Sequence, residues 1–174
     1  SEDLVYEFNE WGYRTKNIDD LDKDFALVFG CSYTEGIGLY QKDIWCEKLC
    51  KELDIDIFNL AKGGSSPCIS YMNTTLYVKN LIRYKPKLVI CQWPQAFRRT
   101  FSHLQEKSEK VIMADEYDLK MVGYNINTEA SNMDMSWFKD RWLKEDGEMY
   151  KDSFFNFYST DILWKALDVP VYHW

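Results

Sequence analysis

Histidine is the scarcest reactive side chain in this sequence, with only His103 and His173 among 174 residues. Chemistry that relies on an imidazole base must draw on one of these two. Positive charge is also short: 21 Lys and Arg stand against 28 Asp and Glu, for a net charge of −7, and Arg98-Arg99 is the one dense basic spot. Nucleic-acid phosphates need clustered Lys and Arg, so no nucleic-acid partner is expected. The five cysteines form no C-x-x-C pair and are odd in number. They read as reduced, mostly buried thiols of an intracellular protein. No apolar stretch approaches membrane-spanning length, and the acidic start Ser1-Glu2-Asp3 is no signal peptide, so no membrane partner is expected. A cytoplasmic location is the default, with secretion through a removed leader left open. No cofactor and no metal are expected.

What is present fits one domain with a substantial core. The chain is organised around Phe25 to Gly38, FALVFGCSYTEGIG. The run Phe25 to Phe29 has no polar residue on either alternating face, so as a strand it must be covered on both sides, as in a parallel sheet between helices. Gly30, Gly36 and Gly38 surround Cys31 and Ser32 with backbone freedom. In open parallel sheets ligands bind beyond the carboxyl ends of the strands, where a hydroxyl such as that of Ser32 is well placed to attack. The alternative is a polar turn capping a strand. The P-loop, the dinucleotide fingerprint and the G-x-S-x-G elbow all fail here, because Gly36 is followed by Ile37-Gly38, no glycine stands at the fingerprint's third position, and Thr34 occupies the elbow's last position.

Lys42 to Leu53 reads as an amphipathic helix with Ile44, Trp45, Leu49 and Leu53 on its apolar face. Asp54 to Leu60 reads as a second strand near a sheet edge. Asn59-Leu60-Ala61-Lys62-Gly63-Gly64-Ser65-Ser66-Pro67 then gives a strand end, a glycine turn, a serine cap and a proline opening a helix. A helix N-terminus thereby points at the crevice of Ser32, where its N–H groups suit a developing oxyanion.

The block Gly-Cys-Ser-Tyr-Thr-Glu-Gly resembles the first block of the SGNH, or GDSL-like, hydrolases, Gly-Asp-Ser-x-Thr-x-Gly, with Cys31 in place of aspartate. Asn59 to Gly64 is similar to the second block, Asn-x-Gly-x-x-Gly, with Ala61 at the first glycine position and Gly64 at the last. The resemblance implies Ser32 as nucleophile and the N–H groups of Ser32 and Gly64 as oxyanion donors. It also implies an α/β fold: a three-layer α/β/α sandwich with a central parallel sheet of flavodoxin-like strand order. Segments like Asn9-Glu10-Trp11-Gly12-Tyr13-Arg14 precede the first block in some members, which points to packing near the site, while Asn17 to Asp22 reads as a solvated lead-in.

The third strand, Lys85 to Trp93, follows a helix from Pro67 to about Tyr84. After it the family's Gly-x-Asn-Asp is missing. Gln92 or Gln95 can supply an amide in its place, and Arg98 and Trp93 are candidates for substrate binding. A Gln-Trp-x-x-x-x-Arg-like variant resembles some divergent members. Residues from about 94 to 152 read as an insertion; Ser136 to Leu143 within it and Phe154 to Leu167 after it read as helices, the latter with Phe155, Tyr158, Ile162 and Leu163 as apolar positions. The insertion suits a lid, a sugar-stacking wall, a core satellite or a dimer contact. Asp168 to Trp174 reads as a fourth strand.

The family's base lies in a final Asp-x-x-His block. Asp168 and His173 do not match that spacing, so the block is expected beyond residue 174, and the chain is expected to be C-terminally incomplete. His173 is the base only if the chain is complete. The resulting expectation is a serine ester hydrolase acting on small acyl or O-acetyl esters, carbohydrate-linked ones among them, with a small-molecule or glycan ester as partner. Acyl transfer is the same chemistry with another acceptor. The alternative is a non-catalytic binding module of this fold that has lost the asparagine and the base. Thiol chemistry at Cys31 is a third reading, weakened by the lack of a resolving cysteine nearby.

Overall fold

The computed structural model describes residues 4–22, 24–96, 98–104, 119–124 and 146–174. The strand read as central is central: all five residues of β1 (Phe25–Phe29) are buried. It pairs in parallel with β2 (Asp56–Asn59) on one side and with β3 (Leu88–Cys91) on the other. A last strand, β6 (Val171–His173), adds in parallel to β3, so the sheet runs β2-β1-β3-β6. This is an α/β fold of flavodoxin-like strand order.

The pleat of β1 sorts its side chains between two cores. Phe25, Leu27 and Phe29 join Phe58, Tyr77, Leu81 and Trp164 on one face, which α3 (Pro67–Leu81) and α4 (Asp146–Ala166) cover. Ala26 and Val28 meet Ile44, Cys46, Cys50 and Ile57 on the other face, under α2 (Trp45–Glu52). Helices on both faces give the three layers that an all-apolar strand requires.

Several local readings are corrected. On α2 the buried positions are Cys46 and Cys50, whereas Leu49 and Leu53 are exposed. The two thiols, one helical turn apart, fit the shallow surface made by Ala26 and Val28, so the helix is rotated from the face its leucines suggest. Ile18 is buried in a short 3-10 turn (Ile18–Asp20) where a solvated lead-in was expected. On α4, Trp164 and Thr160 face the core while Phe155, Tyr158 and Ile162 are exposed. Apolar residues surround this helix, so periodicity cannot choose a face.

The fourth strand is shorter than read. Asp168 takes φ 54°, and the N–H groups of Asp168 and Val169 return to the carbonyls of Lys165 and Trp164. That is a left-handed helix stop, not extended backbone. Between β3 and α4, β4 (Arg99–Leu104) and β5 (Leu119–Tyr124) form a separate antiparallel pair, with His103 opposite Lys120. The helix expected at Ser136 to Leu143 lies outside the described residues.

Candidate active site

β1 ends at Phe29, and Ser32 opens a four-residue helix, α1 (Ser32–Glu35), beyond the strand's carboxyl end. β2 runs parallel beside β1, so its following turn, which carries Gly63 and Gly64, emerges at the same edge. The two turns touch. A Cβ built on Gly63 would lie 3.8 Å from the Ser32 Cβ, 3.0 Å from Glu35 Oε2 and 2.8 Å from Ile37 Cδ1, so only a residue without a side chain fits there undisturbed. Gly64 follows at φ 79°, in the left-handed region. Pro67 then opens α3, with Ser66 at its N-cap but no cap hydrogen bond from that side chain.

Ser32 is half-buried, and its hydroxyl meets no hydrogen-bond partner among the described residues. The backbone N–H groups of Ser32 and Gly64 likewise donate to nothing among the described residues. N–H groups of this kind on two touching turns, free of partners among the described residues, are the donors an oxygen atom carrying negative charge requires.

Polar side chains from three other segments hold the serine turn, Asn59 and Arg14 buried and Gln92 partly buried. Thr34 Oγ1 donates to Gln92 Oε1 at 2.9 Å, and the Cys31 N–H approaches the same oxygen at 3.5 Å. Asn59 Nδ2 donates to the Thr34 carbonyl at 2.8 Å, tying the end of β2 to α1. Arg14, 1% exposed, donates to the carbonyls of Gly36 at 2.6 Å and Leu39 at 2.8 Å. The N-terminal segment therefore packs on the site, with Tyr13 in the core beside it. Glu35, itself buried, accepts the Gly63 N–H at 2.5 Å and faces Lys62 Nζ at 3.6 Å.

The remaining expected residues divide. Gln92 sits behind the serine turn with its amide oxygen toward Thr34 and its Nε2 3.4 Å from the Trp93 carbonyl. Gln95 is exposed in the turn that follows, its carbonyl accepting from the Arg98 N–H. Arg98 Nη1 lies 3.4 Å from the Ser65 carbonyl, next to the glycine turn. Arg98 also lines a cleft of about 290 Å³ with Pro67, Cys68, Asp152, Ser153 and Asn156.

Trp93 and His173 meet each other instead of Ser32. Trp93 Nε1 donates to His173 Nδ1 at 3.0 Å, and His173 Nε2 lies 3.1 Å from Asp161 Oδ1. With Nδ1 accepting, the neutral ring carries its proton on Nε2, toward Asp161. Both nitrogens are occupied in this arrangement, and the ring is stacked on Trp93 and packed at a tilt against Phe157. Asp161 is held below the usual carboxylate range, first by a hydrogen bond from Lys165 and then by His173. Cys31 is 1% exposed, with its Sγ 3.4 Å from Gln92 Oε1, which shields it from solution reagents. Burial pushes the Cys50 thiol up to about 12 and raises those of Cys46 and Cys91 as well.

Sequence reasoning did not single out Glu35, Thr34, Arg14 or Asp161 for these contacts. Glu35 and Thr34 stand inside the serine block, three and two positions after Ser32, and on a short helix these offsets decide which side chain turns toward the neighbouring loop. Asp161 had no local signal, because its partner arrives from β6. Comparison with known proteins returns no family model, curated protein or solved structure that matches the chain.

Proposed function

We propose that this chain is a serine ester hydrolase of the SGNH type, acting on small acyl or O-acetyl esters through an acyl-enzyme at Ser32. The observation that carries the reading is the contact of the serine and glycine turns at one sheet edge, where the Ser32 hydroxyl and the N–H groups of Ser32 and Gly64 have no partner among the described residues. In the reaction a base takes the hydroxyl proton while Oγ bonds to the acyl carbon. The carbonyl oxygen becomes an oxyanion between the two N–H groups. The ester oxygen leaves with the proton, and water then releases the acid by the same steps.

His173 can serve as base only after giving up its bond from Trp93, since both ring nitrogens are engaged. That observation favours the second reading, a binding module that holds an ester or glycan in the same crevice without cleaving it. Hydrolysis of an activated acetyl ester separates the two. An enzyme turns it over and loses at least about a hundredfold of its rate in Ser32→Ala. Binding without turnover, or turnover that Ser32→Ala leaves unchanged, contradicts the hydrolase reading. Loss of activity in His173→Ala identifies the base, and full activity there removes His173 from the mechanism.

A further inference from the structure

We propose that Glu35 is a positioning residue that sets the Gly64 N–H against Ser32, with Lys62 as its counterion. The inference rests on the reading of Ser32 as nucleophile and adds to it a residue outside the serine and glycine pair.

Glu35 is on the same short helix as Ser32, and its carboxylate crosses to the neighbouring turn to accept the Gly63 N–H at 2.5 Å. The residue is only 6% exposed. A buried carboxylate is costly unless it is paired and hydrogen-bonded, and here one N–H and one lysine supply that compensation. The bond fixes the Lys62–Gly63 peptide, which is separated from the peptide carrying the Gly64 N–H only by the Gly63 Cα. With that peptide held, the direction of the Gly64 N–H depends only on the two backbone dihedrals of Gly63, and Gly64 itself turns the chain away in the left-handed region. The latch therefore joins the nucleophile's helix to the donor's turn across the gap where an oxyanion would sit. An N–H held in this way needs no reorganisation as charge develops.

The same carboxylate places negative charge beside a position meant to stabilise negative charge. Lys62 offsets it: Nζ is 3.6 Å from Glu35 Oε1 and is itself held by the Gly12 carbonyl at 3.1 Å and over the Phe8 ring at 5.3 Å. The N-terminal segment thus fixes the counterion as well as the serine loop.

The test measures phosphonylation of Ser32 by a fluorophosphonate across probe concentrations, which separates probe binding from bond formation. Glu35→Ala is expected to slow bond formation by on the order of ten- to a hundredfold, with probe binding within about threefold, because a misplaced oxyanion donor acts on the transition state. Glu35→Gln keeps an oxygen for the Gly63 N–H and should recover most of the rate. Amide exchange at Gly63 should quicken in Glu35→Ala and not in Glu35→Gln, a readout independent of any chemistry at Ser32. Should Glu35→Ala fail to fold, Lys62→Met carries the test. It leaves the carboxylate uncompensated and slows bond formation, and adding Glu35→Gln relieves the loss. Phosphonylation of Glu35→Ala at the wild-type rate, or of Lys62→Met at that rate, contradicts the role of the residue concerned while leaving the hydrolase reading intact. Absence of labelling in the wild-type protein contradicts both.

Discussion

A missing side chain does as much here as a present one. Gly63 leaves room for the Ser32 and Glu35 side chains to converge, and a Cβ in its place would press on Glu35 Oε2 and Ile37 Cδ1. Ile37 is exposed and can swing aside, but Glu35 is buried and cannot. Gly63→Ala should therefore cost stability, about 1–3 kcal/mol by urea unfolding, and slow phosphonylation of Ser32 about as much as Glu35→Ala does. A large loss of stability with an unchanged labelling rate would refute that view of the contact. A second residue-scale prediction concerns Asp161. Its carboxyl lies below its ordinary value of 3.8 in the folded chain, first because of Lys165 and then because of His173. A carboxyl lowered by folding contributes stability above its unfolded value, and the contribution is lost as pH falls through the folded one. The difference in Tm between wild type and Asp161→Asn should be full at neutral pH and vanish once pH is taken well below 3.8. A difference that persists in acid would place the effect in packing instead of charge.

At the scale of elements, what could be read in advance and what could not follow from where the determining contacts lie. β1 was legible because an apolar residue at every position, Phe25 to Phe29, has one solution, burial on both faces. The turn from Gly63 to Pro67 was legible because glycine and proline carry their backbone preferences locally. The buried face of α2 was not, since Cys46 and Cys50 are chosen over Leu49 and Leu53 by the shape of the strand they meet. The same holds for α4, where only the packing of Trp164 against Tyr77 shows which of many aromatic residues is inside. Within the site, Ser32 and Gly64 were legible as a motif, whereas the contacts of Glu35, Arg14 and Asp161 depend on segments distant in sequence. The element-scale prediction is that Trp164→Ala, which empties a fully buried position joining α3, α4 and the sheet, costs about 3–5 kcal/mol. Phe154→Ala, at a position 66% exposed on the same helix, should cost little. Equal losses in denaturant titrations of the two variants would overturn the assignment of the buried face.

For the whole molecule, parallel topology is what gathers the site. Strands β1 and β2 run the same way side by side, so both of their following turns leave at one edge, and β3 and β6 deliver Gln92 and His173 to that edge as well. The order β2-β1-β3-β6 puts Ser32 and the glycine turn on neighbouring strands and places His173 two strands from β1, where Trp93 and Asp161 engage it. Under the proposed hydrolase function, an ester carbonyl would sit between these two turns with Ser32 as its nucleophile. The most direct measurement is to treat the folded protein with a fluorophosphonate, digest it and locate the adduct by mass spectrometry. The adduct is predicted on Ser32, absent in Ser32→Ala and retained in Cys31→Ala. An adduct on Cys31, or labelling that survives Ser32→Ala, would contradict the assignment of Ser32 as nucleophile.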